Sequence, residues 1–150
     1  MENDTIVQLV CFKLAEEEYA FDIMDIQEVV RVQDIIYIPQ VPDFVLGVLN
    51  LRGNIISVFD LRKKFHLQVK PFDHNTKIVV AKVEESIFSM VIDEILENVT
   101  IESANIDPAP NVKMQISRDC IAGLGALEGR IITILNLAQI HEDIKKELGV

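Results

Sequence analysis

Short apolar runs broken by polar turns set the rhythm of this chain. Residues 8–14 (QLVCFKL) and 19–23 (YAFDI) flank Ala15-Glu16-Glu17-Glu18, a polar gap of hairpin length. Tyr19, Phe21 and Ile23 alternate with Ala20 and Asp22, the period of a half-buried strand. Asp25 and Glu28 have the spacing of a helix cap and predict one helical turn before the chain extends again through Val29, Val30 and Val32. Pro39 and Pro42 bracket a loop, because proline lacks the amide proton that a sheet ladder needs. Over residues 44–61 (FVLGVLNLRGNIISVFDL) two apolar runs meet at Arg52-Gly53-Asn54. Gly and Asn tolerate positive φ, so this is a tight-turn signal. The runs are apolar nearly throughout, which predicts strands covered on both faces. Leu61 and Phe65, four apart, predict a brief helix, and the polar, proline-containing residues 68–76 a connector.

The second half repeats the plan. Residues 77–83 (KIVVAKV) and 87–92 (IFSMVI) flank Glu84-Glu85-Ser86 as the first pair flanks its Glu-rich turn. Further on, GRIITILNL from Gly129 aligns with GNIISVFDL from Gly53 at an offset of 76, following G-x-I-I-[ST]-[VI]-[FL]-[DN]-L in both copies. The pattern predicts an internal duplication. The tail is helical: Leu137, Ile140, Ile144 and Leu148 share one face, while His141, Glu142, Asp143, Lys145 and Lys146 take the other, and Gly149 is a stop signal.

Composition narrows what such a chain does. At 150 residues it suits one domain, or two very small halves sharing a core. Ile, Val and Leu dominate the apolar residues, which favours strands. The formal net charge of −10 argues against nucleic acid, and Arg62-Lys63-Lys64 is too small a basic spot to reverse that. Met-Glu-Asn-Asp-Thr is unlike the basic start of a secretory signal, and no apolar run approaches the roughly 18 residues of a membrane span. A cytosolic protein with two buried free thiols, Cys11 and Cys120, is the expectation.

Motifs for chemistry are missing. His66, His74 and His141 read as solvated surface residues outside any metal-ligand spacing. The cysteines form no CxxC and have no activating His beside them. Gly123-Leu124-Gly125-Ala126-Leu127-Glu128-Gly129 has its third Gly one position late for a dinucleotide loop and precedes a strand, so it reads as a structural turn. No residue is singled out as catalytic, cofactor-binding or metal-ligating, and no cofactor is expected. Recognition by apolar patches and sheet edges remains.

The stretch VLGVLNLRGNIISVFDLRKKF resembles the signature of the CheW family, the coupling proteins of bacterial chemotaxis arrays. The usual form is G-V-x-N-L-R-G-x-I-x-P-V-x-D-L, which Gly47 through Leu61 match at nearly every fixed position; Ser57 stands where the family commonly has Pro. With YAFDI and IQEV near the start, DPAP after the second hairpin and GLGAL near the end, the resemblance runs from about residue 7 to 145. It implies a mainly β fold: two five-stranded SH3-like β-barrel subdomains packed on a shared core, with a C-terminal helix. Residues 1–150 would then be a single domain. Subdomain 1 would span about 15–67, and subdomain 2 about 77–136 with the N-terminal strand and the helix 137–148. The function implied is a non-enzymatic scaffold adaptor joining the cytoplasmic tips of chemoreceptors to the regulatory domain of the histidine kinase CheA. It would be cytoplasmic, recruited to receptor arrays without membrane insertion, monomeric in isolation and assembled into rings in arrays. Glu28 and Arg52 would pair at the mouth of a binding groove with Gly53 in the turn, and Ile26, Val30, Val48 and Leu51 would line it for a helical receptor tip. Ile106, Pro108, Pro110 and Val112 would meet the kinase in the ring. An adaptor of another chemosensory pathway and a small-molecule-binding barrel are the alternatives.

Overall fold

The structure, a computed structural model, describes residues 6–108 and 116–150. Strands β1 (Ile6–Leu14) and β2 (Glu17–Asp22) form the first hairpin, followed by β3 (Ile26–Arg31), β4 (Val45–Leu51), β5 (Asn54–Asp60) and the short helix α1 (Leu61–Lys64). After the connector come β6 (Lys77–Val83), β7 (Ser86–Ile92), β8 (Glu94–Glu102), β9 (Ile106–Asp107), β10 (Ile121–Leu127), β11 (Arg130–Leu135) and helix α2 (Leu137–Leu148). The strands make two sheets, ordered β3-β6-β7-β5-β4 and β8-β1-β2-β11-β10-β9.

Alternation along the strands divides the apolar residues among three clusters. Leu49, Leu51, Ile56, Val58, Ile78, Val80 and Val91, with Val30 against them, fill the inside of the first sheet, so all five of its strands point into one cluster. Leu9, Cys11, Ala20, Val99, Ile101, Ile132 and Ile134 do the same for the second. The intervening residues of both sheets, among them Phe12, Phe21, Phe59, Val79, Phe88 and Met90, meet in a third cluster that α2 joins through Leu137, Ile140 and Ile144. This is the expected pair of SH3-like barrels on a shared core, with β9 as a two-residue addition at the edge of the second.

The N-terminal strand β1 joins the second barrel as expected, but the sheets otherwise depart from the sequence intervals 15–67 and 77–136. The hairpin β1–β2 belongs to the sheet of β8, β10 and β11, whereas β6–β7 belongs to the sheet of β3, β4 and β5. Each repeat therefore lends its first hairpin to the other's barrel, through the parallel pairs β2–β11 and β5–β7. Hydrophobic periodicity reports which face a residue buries, not which strand lies beside it, so the exchange left no trace in the pattern.

Three local expectations are corrected. The helical turn is a 3-10 turn at Ile23–Asp25, capped by Asp22, whose Oδ1 accepts the Met24 amide at 2.9 Å; Glu28 is already in β3. Residues 123–127 are strand, and the turn is confined to Glu128-Gly129, at φ +50° and +81°. Glycine at 123 lets β9 cross close by, since a Cβ there would lie 2.7 Å from Ile106 Cγ2. His141 is not merely solvated: its ring stacks on Phe88 at 4.7 Å, and burial lowers its pKa.

Candidate recognition site

Asn50, Arg52 and Gly53 build the β4–β5 hairpin tip. Arg52 and Gly53 adopt φ of +51° and +88°, and Asn50 Oδ1 accepts the Gly53 amide at 2.8 Å. Both central residues at positive φ give the turn whose twist suits a two-residue hairpin. The tip carries Arg52 across to β3, where a bulge between Ile26 and Glu28 re-aims the strand. There the guanidinium donates two hydrogen bonds to the Glu28 carboxylate, both of 2.6 Å. The hydrogen bond to Glu28 raises the Arg52 pKa, and the one from Arg52 lowers that of Glu28. The Arg52 side chain is 67% exposed and that of Glu28 25%, so solvent screens the pair and its stabilising effect is small. Its use is geometric, as a fork held at a fixed place on the surface.

An open cleft of about 280 Å³ lies beside the pair. Leu51 forms part of its wall, together with Ile55 and Ile87, which are 64% and 40% exposed. The remaining expected groove residues lie elsewhere. Ile26 packs against the shared core, Val30 against the inside of the first barrel, and Val48 is half-buried where β4 bridges Ile36. Period-2 alternation offered a signal for Ile55, since Ile56 points inward and its neighbour must face out.

The second barrel has a rim of the same shape and different charge. Glu128 stands where the offset of 76 would put a second Arg52, with Ile131 exposed at the position of Ile55. Arg130 pairs there with Glu18 at 3.0 Å and Glu97 at 3.5 Å. Nearby, Ile106 is half-buried in β9 and Pro108 exposed, whereas Pro110 and Val112 lie outside the described residues. Cys11 and Cys120 are buried and unpaired, and burial pushes each thiol up to about 12, which leaves no thiolate for chemistry at neutral pH. Among the described residues no group of His, Cys, Asp and Glu could hold a metal ion, and no helix is long and apolar enough to cross a membrane.

Comparison with known proteins gives a consistent result. The family model described as the CheW-like domain matches residues 8–145. A chemotaxis protein CheW of Treponema pallidum is 36% identical over 150 residues, covering 97% of this chain and 87% of its own. That of Helicobacter pylori is 32% identical over 146 residues, covering 97% and 86%. The crystal structure of a scaffolding protein from Thermoanaerobacter tengcongensis superposes with a TM-score of 0.81 at 32% identity, over 89% of this chain and 86% of that one.

Proposed function

The chain belongs to the CheW-like family, and on that premise we propose that it is a non-enzymatic adaptor coupling transmembrane chemoreceptors to the histidine kinase CheA. On this reading it works in the cytoplasm, recruited to membrane-associated receptor arrays. The observation that carries the reading is the forked Glu28–Arg52 pair beside exposed Ile55 and Ile87. A charge fixed in direction next to apolar side chains suits a partner helix, with the apolar residues giving contact area and the charge setting register. Leu51 and Gly53 belong to this surface; Ile26 and Val30 pack beneath it, and Val48 lies at the bridge between β4 and Ile36. Ile106 and Pro108, on the second barrel, are the candidate contact for the kinase in the ring.

The test uses the full chain with a receptor signalling-tip fragment and, separately, the kinase regulatory domain. Both should bind. Arg52→Glu places a carboxylate against Glu28 and should weaken at least one of these affinities by about tenfold or more, with an unchanged melting temperature. Unchanged affinities, or a variant that fails to fold, would reduce Arg52 to a structural turn residue.

A further inference from the structure

The two barrels correspond strand by strand, so the rim of one can be laid on the rim of the other. The pairs Val45–Phe59 and Leu51–Asn54 recur as Ile121–Leu135 and Leu127–Arg130, at an offset of 76. The pairs Ile26–Ala81 and Ile78–Val91 recur as Ile95–Phe12 and Leu9–Asp22, at an offset of 69. Strands β3 and β8 shift register at the same point, and Glu28 has Glu97 as its counterpart. Of the nine residues around the Glu28–Arg52 cleft, five are unchanged in the second barrel. Glu28 and Glu85 return as Glu97 and Glu16, and Leu51, Ile55 and Ile56 as Leu127, Ile131 and Ile132. The turns agree as well, with φ +51° and +88° at Arg52 and Gly53, and +50° and +81° at Glu128 and Gly129. Ile131 is about as exposed as Ile55, 60% against 64%.

The differences fall where a partner would make contact. Besides Leu96 for Gln27, Glu128 replaces Arg52 and reverses the charge at the tip, and Glu18 replaces the exposed Ile87. Arg130 replaces Asn54, and its guanidinium spans from Glu18 at 3.0 Å to Glu97 at 3.5 Å. The counterparts of these two carboxylates, Ile87 and Glu28, both line the first cleft, so Arg130 lies across the equivalent space. Its Nε is shielded from solvent and has no acceptor among the described residues, so the group is seated in the rim rather than extended into water.

From this divergence we infer that Glu18, Glu128 and Arg130 are specificity-determining residues, which bar the second rim to the helix that Arg52 reads. The inference rests on the recognition reading proposed above. A helix that aims a carboxylate at Arg52 would meet Glu128 at the second rim, where like charges repel. Its apolar side chains would meet Glu18 in place of Ile87, and its entry would pull Arg130 away from two carboxylates. A duplicated fold offers one helix two equivalent seats. These three residues leave one of them, which gives the adaptor a polarity.

The experiment is a calorimetric titration of the full chain with a receptor signalling-tip fragment, with amide NMR to locate the site. The wild-type chain should take up one fragment. Glu18→Ile, Glu128→Arg and Arg130→Asn together rebuild the first rim on the second barrel. That triple variant should take up two, with shifts at Gly129 and Ile131 that the wild type lacks. Added to Arg52→Glu, the triple change should recover about tenfold in affinity. The reverse pair, Asn54→Arg with Ile87→Glu, copies the strut into the first rim and should weaken binding about tenfold with Arg52 and Glu28 in place. This pair decides the matter if the triple variant does not fold. A folded triple variant that still takes up one fragment, wild-type shifts centred on Ile131, or undiminished binding to the reverse pair would overturn the inference. If Arg52→Glu leaves the receptor-tip affinity unchanged, the first rim is not a helix seat, and the recognition reading falls together with this one.

Discussion

Two arginines ten positions apart serve opposite ends. Arg52 sits at a hairpin tip, largely in water, and its pair with Glu28 orients more than it stabilises. Arg62 is nearly buried, with its side chain 10% exposed and that of Asp93 14%. Asp93 also accepts the Ala15 amide at 2.8 Å, so one carboxylate ties α1 to the β1–β2 turn of the other barrel. Burial pushes the Asp93 pKa up, but the bonds from Arg62 and Ala15 outweigh it and hold the carboxyl below its ordinary 3.8. A depressed folded pKa contributes stability that is fully present above 3.8 and lost as pH falls through the lower folded value. Asp93→Asn should therefore flatten the stability profile in that acid range. At neutral pH it should cost about 3 kcal/mol, because Arg62 is left buried without its counter-charge; urea unfolding across pH checks both. The N-L-R-G motif pointed to Arg52. Nothing local pointed to Arg62 beyond a basic triplet, since Asp93 lies 31 residues away.

Among the elements, hairpin β4–β5 combines two glycines with different duties. Gly53 has φ +88° and open space for 4 Å around the point where a Cβ would stand, so Gly53→Ala meets backbone strain alone, about 1 kcal/mol. Gly47 has φ +147° at the β4 bulge, and a Cβ there would fall 2.0 Å from the Ile36 carbonyl oxygen. That carbonyl accepts the Val48 amide at 2.9 Å, closing the bridge that covers the outer edge of β4. Gly47→Ala should lose about 3 kcal/mol or more and detach residues 35–38, which amide exchange at Ile36 and Val48 would report. The strand runs and the α2 face were readable because each is a local period of burial. Strand β8 was not, because most of Glu94–Asn98 is only partly covered and gives no alternation.

On the scale of the molecule, the exchanged hairpins make the two halves interdependent. Residues 6–67 hold β1–β5 and residues 77–150 hold β6–β11, so neither piece owns a complete sheet. A chain cut within the connector 68–76 should give two fragments that are each unfolded alone. Mixed in equal amounts, they should recover the β-sheet circular dichroism and a single cooperative melt. Independent folding of either fragment would contradict the exchanged topology. The same interdependence ties the barrel that carries the Glu28–Arg52 pair to the other through the shared core.

The sequence by itself determined the β-rich class, the duplication, the C-terminal helix, and through Gly47–Leu61 the family and the Arg52 turn. All of these rest on local spacing, which is set by backbone period and turn chemistry. Only the tertiary structure decided which hairpin completes which barrel and which apolar residues of β3, β4 and β5 face the cleft. It also decided that Arg62 meets Asp93, because pairing and burial depend on residues distant in the chain.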